Sequence, residues 1–523
     1  MTSPAPGAQR DESPVTVSGL AATMTVIAMG LGYSITAADP TILSANISEV
    51  RAGLEMAPST ASFVASLATL TLAAAVLGAG ALGDLYGMKR MFTGGLLGAI
   101  GFGILAAAAP TGAVLMAARA GSGVAFAFLL GLSLATINAV FPPERRAAAI
   151  GLYLGAGFAL TTPMPAIGSL LAEHLGWRTG FLVAPVAAVI ALVIHLRYVP
   201  ETPRAPGRLD IPGLALVAAA LLALVYGISR LQRGLNTDAV VAIAVGVVAG
   251  AAFLLRERTA PDPALDLRIF RSGRFNAAVT AGAAFNFITG GSTILFAYYL
   301  VSVRGESPAL LGLLLVPATL MQAIAATGSG RAATRFGERA VLVTGLLLLL
   351  AGLLVLATVG EKTSMWLLFA AVLLNAVGGA VVQTPQSTIM MSAAPADLGG
   401  SVSAVKSAVG QAGYSLGPAV FALVGTTLFL RDGMERLAGS GITEPQAREA
   451  LQVAHGTSVS SVGGGNVLDP QRAREVVVGA TDAMIDAIHT LSLMMAAVPV
   501  VAIVLALILL RPRPHDRARP PSR

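Results

Sequence analysis

Apolar residues recur along almost the whole chain in runs separated by short polar or basic segments. A run of about 20 apolar residues, wound as a helix, spans the hydrocarbon core of a bilayer. The pattern predicts fourteen such helices, near 15–45, 60–83, 91–109, 113–138, 147–172, 178–196, 211–229, 239–255, 276–302, 308–328, 340–360, 365–390, 402–430 and 484–510. One sizeable polar interval, 431–481, is expected outside the membrane, as a lid or spacer. In it, Thr443 followed three residues later by Gln446 resembles a capping box. Asp469-Pro470 reads as an N-cap with a first-turn proline, and HGTSVSSVGGGN between them as a flexible loop. Two short helices are expected there, the second leading toward the last span.

Composition agrees with a membrane solvent. The 523 residues are 55% hydrophobic and only 12% charged, and mean hydropathy is +0.77. A soluble domain of this length exposes too much surface for that balance. With no cysteine, disulfides, thiolate chemistry and cysteine metal sites are excluded. The net charge of +7 is scattered over short loops without interleaved aromatics, which argues against nucleic acid as a partner. The excess of arginine over lysine suggests a GC-rich bacterial gene, and therefore the bacterial cytoplasmic membrane. The first 14 residues are polar and carry no cleavable signal pattern.

Basic residues orient the chain. With a cytoplasmic N-terminus, about 21 of the 34 Lys and Arg fall in inside segments, and short outside loops hold about six. Both termini are therefore expected inside. The expected organisation is a cytoplasmic tail (1–14), a six-helix bundle (15–200), a two-helix insertion (201–260), a second six-helix bundle (261–510) and a basic tail (511–523).

The division rests on a repeat. GALGDLYGMKR (Gly80–Arg90) follows the second predicted span and GRAATRFGERA (Gly330–Ala340) the tenth. In each, two glycines stand seven apart and a basic residue comes two positions after the second. Parallel repeats in a polytopic protein point to alternating access between two halves.

Several motifs then form a family pattern. Gly80-x-x-x-Asp84-x-x-Gly87-x-Lys89-Arg90 resembles the signature loop between helices 2 and 3 of the major facilitator superfamily, with Leu85 where an arginine is usual. Ala38-Asp39-Pro40-Thr41-Ile42 resembles the first-helix motif of its fourteen-helix branch, the drug:proton antiporters. Arg119-Ala-Gly-Ser-Gly123, Gly176-Trp177-Arg178 with Phe181 to Pro185, Gly305 to Pro317 and Gly400 to Gly417 resemble further segments. The resemblance covers nearly the whole chain. It implies an all-α polytopic fold of two six-helix bundles plus two helices, no cofactor, a monomer, and proton-coupled export of hydrophobic or amphipathic molecules. It also implies a cytoplasmic latch between the halves at Gly80, Asp84, Gly87, Lys89 and Arg90; a topological anchor is the alternative. The fifth-helix antiporter motif is eroded to TTPMPAIGS, with Met164-Pro165, Gly168 and Ser169, which leaves uniport or symport open. Where the branch commonly carries a basic residue near Gly410, Lys406 stands one turn earlier.

Charges inside spans carry the candidate chemistry. An ionised carboxylate in hydrocarbon costs several kcal/mol, so it faces a cavity or a partner. Asp39 lies about six residues before the end of the first predicted span and Arg119 about six after the start of the fourth, both roughly 9 Å below the outer face. In the family these helices line the same half of the cavity, so Asp39 is the expected proton site and Arg119 the residue that tunes it. The plainer readings are a helix kink at Asp39-Pro40 and a tie from Arg119 to backbone carbonyls. Lys406 meets an anionic substrate or headgroup, or snorkels to the interface. Asn286, Gln322, Asn375, Gln383, Gln386 and Gln411 line the cavity or bond between helices. Tyr298 and Tyr299 suit an outer interface. Asp482, Asp486 and His489 share a helix face and read as a solvated helix end rather than a metal site. Protons and membrane lipids are the other expected partners.

A lipid or metabolite exporter of the same fold is the nearest alternative. A membrane-embedded enzyme is the distant one: the sequence has no zinc ligand set, nucleophile elbow, acidic diphosphate motif or Walker loop.

Overall fold

Only helices and closed barrels satisfy a backbone in lipid, and every element among the described residues is helical. The structure is a computed structural model. It describes residues 17–510 except 57, 203, 205–209, 232–235, 261–266, 307, 395–397, 439–443, 445, 448–450 and 452–469. The first six crossings are α1 (Gly19–Gly53), α2 (Pro58–Tyr86), α3 (Met88–Ala107), α4 (Gly112–Val140), the broken α5 (Pro143–Thr161) and α6 (Pro163–Leu175), and α7 (Trp177–Gly180) with α8 (Val183–Tyr198). A pair follows, α9 (Ile211–Leu231) and α10 (Thr237–Thr259). The last six are α11 (Gly273–Ala297, prolonged by a π turn Tyr298–Val303), α12 (Pro308–Phe336), α13 (Glu338–Leu356), α14 (Met365–Ser392), α15 (Gly399–Leu437) and α16 (Pro470–Leu509). Thirteen stretches among the described residues are long and apolar enough to cross a membrane. The remaining predicted span falls in α12, 29 residues long with Pro317 inside.

Several boundaries differ from the hydropathy reading, each for a physical reason. α1 runs to Gly53, eight residues past its predicted end, because Leu43 and Val50 bury themselves against Leu115, Trp177 and Phe181. The fifth span breaks at Thr162, where Pro163 and Pro165 supply no backbone N–H. There the hydroxyls of Thr161 and Thr162 donate to the Gly157 and Phe158 carbonyls at 2.8 and 2.9 Å. α15 and α16 project well beyond the apolar belt. Their extensions are held by Leu437, Leu451, Val476 and Ala480, all buried. The expected second outer helix is thus the start of α16 itself; Thr443, Asp469 and the glycine-rich stretch lie outside the described residues.

The two six-crossing groups pack reciprocally: α2 lies against α15, and α5 against α12. The second crossing of each half meets the fifth of the other, as a two-fold relation requires. Close approach is set by small residues. A methyl group added at Gly151 would stand 2.7 Å from the Ala326 carbonyl oxygen, and one at Gly330 would stand 2.5 Å from that of Ala147. The paired signature segments are not loops. Each is helix up to one residue, Gly87 (φ +100°) or Gly337 (φ +87°), where the next helix begins. A side chain is strained at those angles. Two residues on, Lys89 Nζ donates to the Leu196 carbonyl at 3.2 Å, and Arg339 donates to that of Leu507 at 2.9 Å. In each half the basic residue after the turn ties the third crossing to the end of the sixth.

The α9–α10 pair packs on α2 and α15, one helix from each half. Arg256 donates to Asp210 at 2.7 and 2.9 Å, and these bonds hold the Asp210 carboxyl below the usual carboxylate range. An apolar pocket of about 560 Å³ opens between α2 and the pair, walled by Phe63, Leu67, Leu70, Leu222, Tyr226 and Val245 among others.

Candidate functional site

Three places along the bundle carry polar chemistry. The first is the wall between α1 and α4. α1 continues through Pro40, although a proline removes one rung of the ladder. Around it, Thr36, Thr41, Ser44 and Asn46 turn their side chains back to the carbonyls of Tyr33, Ala37, Pro40 and Ile42 at 2.8–3.1 Å. Asp39 neither caps nor ends the helix. Its carboxylate accepts a hydrogen bond from Arg119 Nη1, and the two side chains are 8% and 1% exposed. Arg119 Nε and Nη2 are buried without a hydrogen-bond partner. Toward the nearer helix ends, the cluster of Leu43, Leu115, Ala118, Trp177 and Phe181 closes over this level. Asp39 lies fourteen residues before the end of α1, about 21 Å along its axis. It is therefore set deeper below the helix end than the predicted boundary implied.

The second place is the Asp84 end of the seam. Asp84 Oδ2 accepts from both the backbone N–H and the hydroxyl of Ser401, at 2.8 and 2.9 Å. Ser401 is in the first turn of α15, where backbone N–H groups lack helical partners and the dipole favours an anion. A carboxylate of one half thus caps a helix of the other. Lys89 and Arg90 do not take part in this bond. The Lys89 amide donates to Glu201 at 3.2 Å and Arg90 pairs with Glu201 at 3.8 Å, all within the first half. Of the five residues expected to form a latch, Asp84 bonds across the halves, Lys89 and Arg90 bond within the first half, Gly80 is buried and Gly87 shapes the turn.

The third place lies between the halves at mid-depth. The Tyr33 ring meets those of Tyr153 and Phe158 edge-on, at 6.2 and 5.6 Å between centroids. Its hydroxyl faces Gln383 of α14, and Tyr414 of α15 lies close by with about half of its surface open. Gln383 and Gln386 are buried, and each keeps a carboxamide oxygen without a partner. Gln386 lies over Gly282 of α11, whose carbonyl accepts from Asn286 at 2.8 Å. Aromatic rings with a few polar groups among them are the kind of lining that small-molecule sites use.

The profile of the Major Facilitator Superfamily matches residues 25–418. The chain belongs to this superfamily. It is 29% identical over 508 residues to the tetracenomycin C resistance and export protein of Streptomyces glaucescens, covering 94% of this chain and 93% of that one. It is 31% identical over 438 residues to the multidrug resistance protein Stp of Mycobacterium tuberculosis, covering 82% and 80%. The proton:xylose symporter XylE shares the fold, with a TM-score of 0.54 at 14% identity over 88% of this chain and 94% of that one. A multi-pass membrane transporter fold is thereby established.

Within the superfamily fold the other predicted residues separate. Asn375 donates to Ser292 at 2.7 Å and ties α14 to α11 inside the second half. Gln322 and Gln411 are half-buried. Tyr299 is buried and donates to the Gly360 carbonyl at 3.0 Å, so it fastens a turn instead of lying open at an interface. Asp482 and Asp486 pair with Arg436 of α15, while His489 bonds the Val359 carbonyl at 2.6 Å. The acidic part of this helix face stays open to solvent, as its sequence suggests, and it also clasps α15 through Arg436. Sequence reasoning missed Tyr33, Tyr153, Tyr414 and Ser401. Tyr33, six residues before Asp39 in the same apolar run, is the one whose position offered a signal.

Proposed function

We propose that the chain is a proton-coupled exporter of hydrophobic or amphipathic small molecules that works by alternating access, with both termini cytoplasmic. The Asp39–Arg119 pair carries the reading: a carboxylate and a guanidinium face each other at bilayer depth, shielded from lipid, in one wall of a two-half bundle. A proton on Asp39 cancels the charge that Arg119 pairs with and leaves a buried cation uncompensated. The wall then favours a different packing, which couples protonation to the rocking of the halves. A proton crossing 100 mV releases about 2.3 kcal/mol, enough to move the balance between two such states. Asp84 on the α15 terminus, with the tight Gly151 and Gly330 contacts, keeps the cytoplasmic seam shut in this state. The aromatic and amide-lined middle receives the substrate. The names of the relatives, export and multidrug resistance proteins, support the same direction of transport.

The test is dye retention in a susceptible host. Cells expressing the chain are expected to hold less of an amphipathic dye than control cells, and a protonophore should restore retention to the control level. Efflux that persists after the proton gradient collapses would end the proton-coupled reading; displaced lipid without dye efflux would favour a lipid exporter.

A further inference from the structure

Lys406 is a cation at bilayer depth that forms no hydrogen bond or ion pair with any described residue. Two buried acids of the bundle are engaged elsewhere: Asp39 with Arg119, Asp84 with Ser401. An ionised group in a membrane-spanning helix needs a counter-charge or water. Lys406 also does not point to lipid. It falls on one stripe of α15 with Gly410, Gly413 and Gly417, at spacings of four, three and four residues. The three glycines face Asn286 and Phe287 of α11, so the helical stripe turns Lys406 toward α11 about one turn below Asn286. At that level α11 presents Gly282, and Gln386 lies across it. The buried, unpartnered oxygens of Gln386 and Gln383 follow on α14, then the hydroxyl and ring of Tyr33. One path across the middle therefore offers a cation, two free acceptors and a set of aromatic faces.

We propose that Lys406 is the anion-recognition residue of this crevice, so that the transporter takes hydroxylated aromatic acids. The acid group supplies the missing counter-charge, ligand hydroxyls donate to Gln383 and Gln386, and the ring system lies against Tyr33 and Tyr414. The proposal rests on the crevice being the substrate site, as in the exporter reading above.

Two dyes with the same xanthene skeleton and opposite charge test it: fluorescein, an acid, and rhodamine 123, a cation. Equilibrium binding to the full chain in lipid nanodiscs, at neutral pH and without a proton gradient, separates this idea from proton coupling. Lys406→Gln should weaken fluorescein binding about tenfold or more, as expected for loss of a charge-assisted contact. Lys406→Arg should retain most of the affinity, and rhodamine 123 should respond to neither change. Lys406→Met provides a second neutral variant if Lys406→Gln is not monodisperse. Equal fluorescein affinity in wild type and the neutral variants, no fluorescein binding by wild type, or a parallel loss of rhodamine 123 binding would each overturn the proposal. A wild type that binds fluorescein but exports nothing under a proton gradient would instead refute the exporter reading.

Discussion

Asp39 and Arg119 are each costly at their depth and together tolerable, because the charge that lipid cannot solvate is met by its opposite. Removing one partner of such a pair typically costs about 3–5 kcal/mol, since the other stays buried and unpaired. Asp39→Asn alone should therefore melt well below the wild type in detergent, and Asp39→Asn with Arg119→Gln should recover much of the loss. A single variant as stable as the wild type would show that the pair bears no such strain. That these residues meet was legible from their matching depths in the first and fourth predicted spans, together with the family resemblance that places those spans in one half. The partner of Asp84 was not. Ser401 lies 317 positions away, and one of its two donors is a backbone N–H, which no side-chain pattern announces. Nor did the sequence reveal that Lys89 and Arg90 turn back to Glu201 and Leu196, since a charge run gives no direction.

The repeated segment at Gly80–Arg90 and Gly330–Ala340 turns at one glycine in both halves, but at the position of Asp84 the second repeat carries Thr334. α15 begins Gly399-Gly400-Ser401 and offers free N–H groups to Asp84, whereas α5 begins after Pro142 at Pro143, where proline removes that donor. Thr334 has no such terminus to cap, and its hydroxyl bonds back to the Arg331 carbonyl at 2.7 Å. Asp84→Ala deletes two bonds to a charged acceptor, each worth about 1.5–3 kcal/mol. Gly330→Val places a methyl group against the Ala147 carbonyl. Both should bias the protein toward an open Asp84-end seam. Because the chain has no cysteine, a single cysteine placed at Ala148 reports this cleanly: its labelling by a water-soluble maleimide should accelerate in either variant. Unchanged labelling would mean that neither contact holds the seam. Helix ends were less legible than helix cores. Hydropathy marks where lipid begins, while α1, α15 and α16 continue beyond it on amphipathic packing against Trp177, Leu437 and Leu451.

Across the whole molecule, the reciprocal packing of α2 on α15 and α5 on α12 makes two bodies that meet at small residues, the geometry suited to rocking as units. The α9–α10 pair touches one helix from each body and is clasped by Asp210 and Arg256, so it rides on the seam without interrupting it. The central claim is that protonation of Asp39 drives this motion and is exchanged for substrate. It is tested most directly by proton movement itself. Proteoliposomes of uniform outward orientation are loaded with substrate and an entrapped pH dye, with no proton gradient imposed. As substrate leaves down its own gradient, the lumen of wild-type vesicles should acidify, whereas Asp39→Asn vesicles, with or without Arg119→Gln, should release substrate with no acidification. Substrate-dependent acidification that is undiminished in Asp39→Asn would contradict the account.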